Sequence, residues 1–218
     1  MMKKISPLER MLLLSILFTM VLLCVRFYYT KEWMYGFYIW NTFLAVIPLC
    51  CSRRLIRLDR FGYKAVLLLV VWLAFLPNAP YMITDVFHYM DRPPVPAWFD
   101  LLLVTSAAWN GLLLGIISLM QVERFLYAHL KPVWTNLLVL ACCVLCGYGV
   151  YIGRYLRFNS WDAVTDPLKL LSTMAHHVFQ PFAHTGTWAF TMLFGGMFGI
   201  VFFTLKGLRQ DSGTAIVK

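Results

Sequence analysis

The chain has 218 residues, of which 61% are hydrophobic and only 13% charged; a soluble globular chain carries about 25% charged residues. The apolar residues run in long blocks, so a soluble domain is excluded, and the length leaves room for one transmembrane domain over residues 1–218. The net charge of +9 comes from basic residues gathered between the apolar blocks, where the positive-inside rule places them. No zinc-finger spacing, arginine-rich tail or aromatic RNA motif accompanies them, so the expected partners are membrane lipids and not nucleic acid.

Spanning about 30 Å of hydrocarbon takes about 20 helical residues. The first apolar block runs from about Met11 to Tyr29 and the second from Trp33 to Cys51. Lys3, Lys4 and Arg10 precede the first as they would a signal sequence. No small-residue cleavage site follows, and Leu23 before Cys24 fits a lipoprotein box poorly, so a retained span is expected. A short basic loop then carries Arg53, Arg54, Arg57, Arg60 and Lys64.

The third block is unusual. Ala65 to Leu76 supplies only about 18 Å of helix at about 1.5 Å per residue. Pro77-Asn78-Ala79-Pro80-Tyr81 follows, before Thr84-Asp85-Val86-Phe87-His88 and Asp91. Two prolines remove two backbone donors and disfavour helix at Leu76 and Ala79. A broken span is therefore expected, and it survives in a bilayer only under protein or beside a watery cavity. Asn78 is expected to satisfy freed backbone groups, and Thr84 or Asp85 to cap the helix that resumes. On a helix Asp85, His88 and Asp91 would share a face. An acid beside an imidazole suits general acid–base work, and the spacing also offers metal ligands. The bland alternative is a set of polar side chains wetting the membrane interface.

The fourth block covers about Leu101 to Met120 and the fifth Val133 to Ile152. Blocks four, five and six each carry a Gly-x-x-x-Gly pair: Gly111/Gly115, Gly149/Gly153 and Gly195/Gly199. Such pairs let helices approach closely, either within the bundle or across a homo-oligomer interface. All six cysteines (Cys24, Cys50, Cys51, Cys142, Cys143 and Cys146) lie in apolar stretches. They read as packing residues; no disulfide framework, metal site or cofactor motif is indicated.

After the fifth block comes Gly153-Arg154-Tyr155-Leu156-Arg157-Phe158-Asn159-Ser160-Trp161-Asp162. Arg154 and Arg157, three apart, would share a helix face and could clamp a phosphate or carboxylate, with Asn159 and Asp162 beside them. Snorkelling arginines, or ion pairs to Asp85 and Asp91, are the alternatives. His176, His177 and His184 follow on the same side; adjacent histidines do not share a helical face and Pro181 interrupts the segment, so at most one functional histidine is expected among them. The sixth block runs from about Thr187 to Leu205.

Thirteen of the 19 basic residues then fall on one side of the membrane, which with six spans predicts both termini in the cytoplasm. Both polar clusters fall on the outer face. The expected fold is an all-α polytopic bundle of about six spans, broken at Pro-Asn-Ala-Pro.

The runs Leu76-Pro77-Asn78-Ala79-Pro80-Tyr81-x-x-Thr84-Asp85-x-x-His88 and Gly153-Arg154-x-x-Arg157-x-Asn159-Ser160-Trp161-Asp162 resemble a bacterial membrane family known only as domain of unknown function 1361. The resemblance implies a multi-pass protein of the bacterial inner membrane and brings no reaction with it. The paired late histidines are not part of the pattern. Three functions remain open from the residues. One is an outer-face enzyme on a lipid-linked or envelope substrate, with His88 as acid or base, Asp85 orienting it, Asn78 donating to an oxyanion, and Arg154 and Arg157 as the anion clamp. The others are a scaffold or assembly factor and a small transporter lined by the broken span. No nucleophile elbow, zincin motif or P-loop is present.

Overall fold

The computed structural model describes residues 6–89, 94–158 and 162–215, with the side chains of residues 88, 163, 164 and 210–215 left aside. All regular structure among them is helical. Helix α1 (Pro7–Thr30) starts on a capping box, in which Ser6 Oγ accepts from the Glu9 amide and Glu9 Oε2 accepts from the Ser6 amide, with Pro7 at the first position. Next come α2 (Phe37–Leu55), α3 (Tyr63–Phe75) and α4 (Asn78–Tyr81), the last running into a 3-10 segment, Met82–His88. Helix α5 (Ala97–His129) is the long central element; α1, α2, α4 and the 3-10 segment all pack on it. Helix α6 (Pro132–Tyr155) pairs with α9 (Thr185–Ala215), and between them lie α7 (Asp162–Thr165), α8 (Pro167–Phe179) and a 3-10 turn, Pro181–His184.

The segments Pro7–Thr30, Tyr63–Phe87, Ala97–His129, Pro132–Tyr155 and Pro181–Arg209 are long and apolar enough to cross a membrane. Their outer faces expose Leu13, Leu17, Val66, Leu67, Leu193 and Ile200, side chains that only a lipid environment accommodates in such density. The protein is a helical membrane bundle. The sequence led us to expect six such segments, and five meet the test. The expected second span folds as the 19-residue α2, but Asn41, Pro48, Arg53 and Arg54 dilute its apolar character. It packs between α3 and α5.

The break in the third span is present. Regular α-helix ends at Phe75, Ala79 N bonds Leu76 O at 3.1 Å in the tighter i−3 pattern, and the segment continues as a 3-10 helix to His88. Asn78 Nδ2 donates to Phe75 O at 3.0 Å, satisfying a carbonyl whose usual donor, Ala79 N, has moved to Leu76 O. Two local expectations need correcting. Leu76 keeps right-handed helical angles (φ −52°, ψ −42°), so the chain tightens and does not unwind. Thr84 and Asp85 do not cap a resuming helix: Thr84 Oγ1 donates back to Tyr81 O at 2.6 Å, while Asp85 faces other partners.

The glycine pairs hold this break. A Cβ at Gly111 would strike Ala79 O and crowd Met82, and one at Gly115 would lie 3.2 Å from the Ala79 Cβ. A Cβ at Gly149 would sit on the Pro77 ring, and one at Gly153 would touch Tyr81 at 3.3 Å. Two helices thus offer their bare faces to one irregular turn. Gly195 meets the Cys143 carbonyl of α6, which closes the α6–α9 seam. These contacts all lie within the single chain.

Candidate functional site

Arg154, in the last turn of α6, reaches the 3-10 segment of the broken span. Its Nη2 lies 2.5 Å from Asp85 Oδ1, its Nε donates to Thr84 Oγ1 at 2.9 Å, and its guanidinium stands 4.6 Å from the Tyr81 ring centroid. Asn41 of α2 donates to the other carboxylate oxygen, Oδ2, at 3.1 Å. The Asp85 side chain is 2% exposed and that of Arg154 12%. A charge pair so placed is held by geometry as well as Coulomb attraction, because both Asp85 oxygens and the Nε and Nη2 of Arg154 have partners. Tyr38 is wholly buried in the field of both charges, and its hydroxyl has no hydrogen-bond partner among the described residues.

Beside this pair is a cavity of about 260 Å³. Its walls come from α2 (Trp40, Asn41, Leu44), the end of α3 (Ala74), the break (Pro77, Asn78, Tyr81), α6 (Gly149, Ile152, Gly153), Phe158, and Leu170 and Met174 of α8. Two carboxamides and a phenol are set in an otherwise apolar wall. Such a lining suits a ligand that is mostly apolar with a few fixed hydrogen-bonding points.

The structure therefore brings together Asn78, Asp85 and Arg154 of the expected site residues, and adds Asn41 and Tyr81. His88 ends the 3-10 segment and its side chain lies outside the described residues, as do Asp91 and Asn159 altogether. Arg157 does not share a helix face with Arg154. Helix α6 ends at Tyr155, and Arg157 takes the left-handed conformation (φ 60°) as Phe158 N closes on Ile152 O at 3.3 Å. Arg157 is exposed and makes no ion pair among the described residues. Asp162 opens α7 and accepts from Thr165 Oγ1 at 3.4 Å.

Sequence reasoning missed a second charge pair. Arg26 of α1 and Asp100 of α5 are each 2% exposed and joined twice, Nε to Oδ1 at 2.7 Å and Nη2 to Oδ2 at 3.1 Å, with Tyr35 stacked 4.7 Å from the guanidinium. The signal was present: each is a lone charge at the edge of an apolar block, and such charges pair with one another. Also unforeseen was the α1–α5 polar seam, in which Asn110 accepts from Ser15 Oγ at 2.6 Å and donates to Thr19 Oγ1 at 2.8 Å.

The three late histidines meet across the turn that Pro181 starts. His176 Nδ1 lies 2.8 Å from His184 Nε2, and the His177 and His184 rings are 4.5 Å apart, because the turn after Gln180 folds His184 back over α8. His177 is buried against Tyr148, whose hydroxyl is 3.0 Å from its Nδ1. Burial first, then the imidazoles of His184 and His176, lower its pKa. Among the described residues no three His, Cys, Asp or Glu side chains are grouped to hold a metal.

No curated protein and no solved structure matches the chain. A family profile described as "Protein of unknown function (DUF1361)" matches residues 40–201. That stretch takes in the broken span, Asp85, Arg154 and the whole cavity wall, and since it is the greater part of the chain, the protein belongs to the DUF1361 family of proteins of unknown function.

Proposed function

We propose that this protein binds the polar head and first apolar segment of a lipid-linked or other envelope amphiphile in the cavity at the broken span. The observation that carries the reading is the lining itself: Asn41, Asn78 and Tyr81 set among Trp40, Leu44, Phe158 and Met174 beside a buried charge pair. The orphan Tyr38 hydroxyl adds a buried polar group in the same field. In this reading the Asp85–Arg154 pair holds the wall in shape, and Arg157, exposed beyond the end of α6, meets the ligand's head. The bundle sits in a bacterial cytoplasmic membrane with α2 crossing it and both termini in the cytoplasm, the arrangement the basic Arg53–Lys64 loop favours.

The test is photocrosslinking in nanodiscs with a diazirine lipid carrying the reactive group near its head, followed by peptide mapping. Enrichment at Trp40, Phe158 and Met174 over the outer face of α1 supports the cavity, and equal labelling of all apolar faces overturns it. One observation favours a second reading, that of a scaffold: Asp85 and Arg154 spend their charges on each other, which stiffens a fold without requiring a ligand.

A further inference from the structure

The 13-residue helix α8 has three faces and only two of them are accounted for by the bundle. Leu170 and Met174 wall the cavity, and His177, one turn on, is buried on Tyr148. Lys169, Ser172, Thr173 and His176 form a polar arc beside them. The remaining arc, about 100° wide at about 100° per residue, holds Leu168, Leu171, Val178 and Phe179, which are 79%, 59%, 59% and 82% exposed. Phe182 in the next turn is 91% exposed.

At about 20 Å the helix is too short to cross a bilayer. Its place in the chain fixes its depth: α8 lies between the end of the α6 span at Tyr155 and the start of the Pro181–Arg209 span. Both ends therefore lie at one surface of the membrane. An amphipathic helix at that level has a single medium for a stripe of leucine and phenylalanine, the boundary between lipid head groups and acyl chains.

We propose that α8 is an interfacial helix whose Leu168–Leu171–Phe179 face, continued by Phe182, is sunk in the lipid surface, while its Leu170–Met174 face roofs the cavity. The partner of the exposed face is the bilayer, and burying that stripe in lipid offsets the cost of leaving it in water. The cavity is thus roofed by an element seated among lipid head groups. The inference rests on exposure and topology and stands whether or not the cavity binds an amphiphile.

Spin labels at single cysteines, placed in the full chain with its six native cysteines replaced and held in nanodiscs, test it through relaxation by oxygen and by a water-soluble nickel chelate. Labels at 168, 171 and 182 should favour oxygen several-fold, labels at 169, 172 and 176 should favour nickel, and a label at 174 should be shielded from both. Nickel-dominated relaxation at 168, 171 and 182 would overturn the proposal. So would shielding of all three from both reagents, since a second protein would then cover the stripe. Should the cysteine-replaced chain not fold, the unaltered chain can be labelled with a bilayer-confined carbene reagent. Modification within residues 168–182 supports the proposal, and its absence there beside strong labelling of α1 refutes it.

Discussion

Asp85 and Arg154 come from sequence positions 69 apart, yet each supplies what the other lacks in a setting with little water. Removing one partner leaves a buried charge uncompensated, which costs about 3–5 kcal/mol. Asp85→Ala or Arg154→Ala should therefore lower thermal stability in detergent sharply, and the double variant Asp85→Leu/Arg154→Met should recover a large part of the loss. A double variant no better than the singles would show that the pair does not act as a pair. Arg157 makes the opposite case. It holds a left-handed conformation that costs a residue with a Cβ about 1 kcal/mol and glycine little. Arg157→Gly should match or exceed the parent in melting temperature, whereas Arg157→Val should fall below it. If Arg157 meets the ligand head, Arg157→Gly should at the same time weaken the crosslink to the diazirine lipid.

At the scale of elements, the broken span is held by what its neighbours lack. Pro77 rests where Gly149 has no side chain, and Ala79 and Met82 where Gly111 has none. Gly149→Val should destabilise the bundle by more than about 2 kcal/mol through overpacking against a rigid ring. Gly196→Ala, where a Cβ meets nothing within 4 Å, should stabilise α9 by about 0.5–1 kcal/mol. Equal effects at the two sites in chemical denaturation would contradict this account of the glycine faces. Helix α8 is anchored differently, through His177, whose folded pKa lies below its ordinary value of 6.5. The unfolded form takes up a proton first as pH falls, so the docked state is fully favoured above about 6.5 and loses stability as pH drops from there through the folded value. Amide-exchange protection across Pro167–Phe179 should decline over that window, and the decline should shrink in His177→Gln. A flat profile would show that α8 does not depend on this ring. His176 and His184, 2.8 Å apart, face the same region.

For the molecule as a whole, the decisive element is α2. If this 19-residue helix crosses the membrane beside the five strongly apolar segments, both termini share a side. A cysteine at position 162 should then react with an impermeant maleimide from outside intact cells, and one at position 60 only after lysis. The reverse pattern would overturn the orientation, and reaction of cysteines at positions 32 and 60, which flank α2, from the same side would remove α2 from the spans. Asn41 gives a physical reason for α2 to lie inside the bundle although it is the least apolar of these helices: its carboxamide is spent on Asp85, and Ser52 Oγ on Gln121 at 2.8 Å.

The sequence by itself determined the helical membrane architecture, the approximate places of the apolar segments and the break at Pro77–Pro80. These follow from local quantities: the length of apolar runs, the missing proline donors, and the need to satisfy backbone groups out of water. It also singled out Asp85 and Arg154, since charged residues beside apolar runs are few enough to be matched by sign and by membrane face. What only the tertiary structure decided was which side chains meet. Asn41 joined Asp85, Arg26 joined Asp100, and three histidines came together because a turn folded back, none of which any spacing encodes. Arg157 left the face of Arg154 because the helix ended two residues before it. The three-sided character of α8 was hidden for a similar reason: its periodicity is legible, but which apolar stripe faces lipid and which faces the cavity depends on where α2 and α6 stand. Helix rotation is set by packing among elements distant in sequence, and that information is held by the fold and not by any one segment.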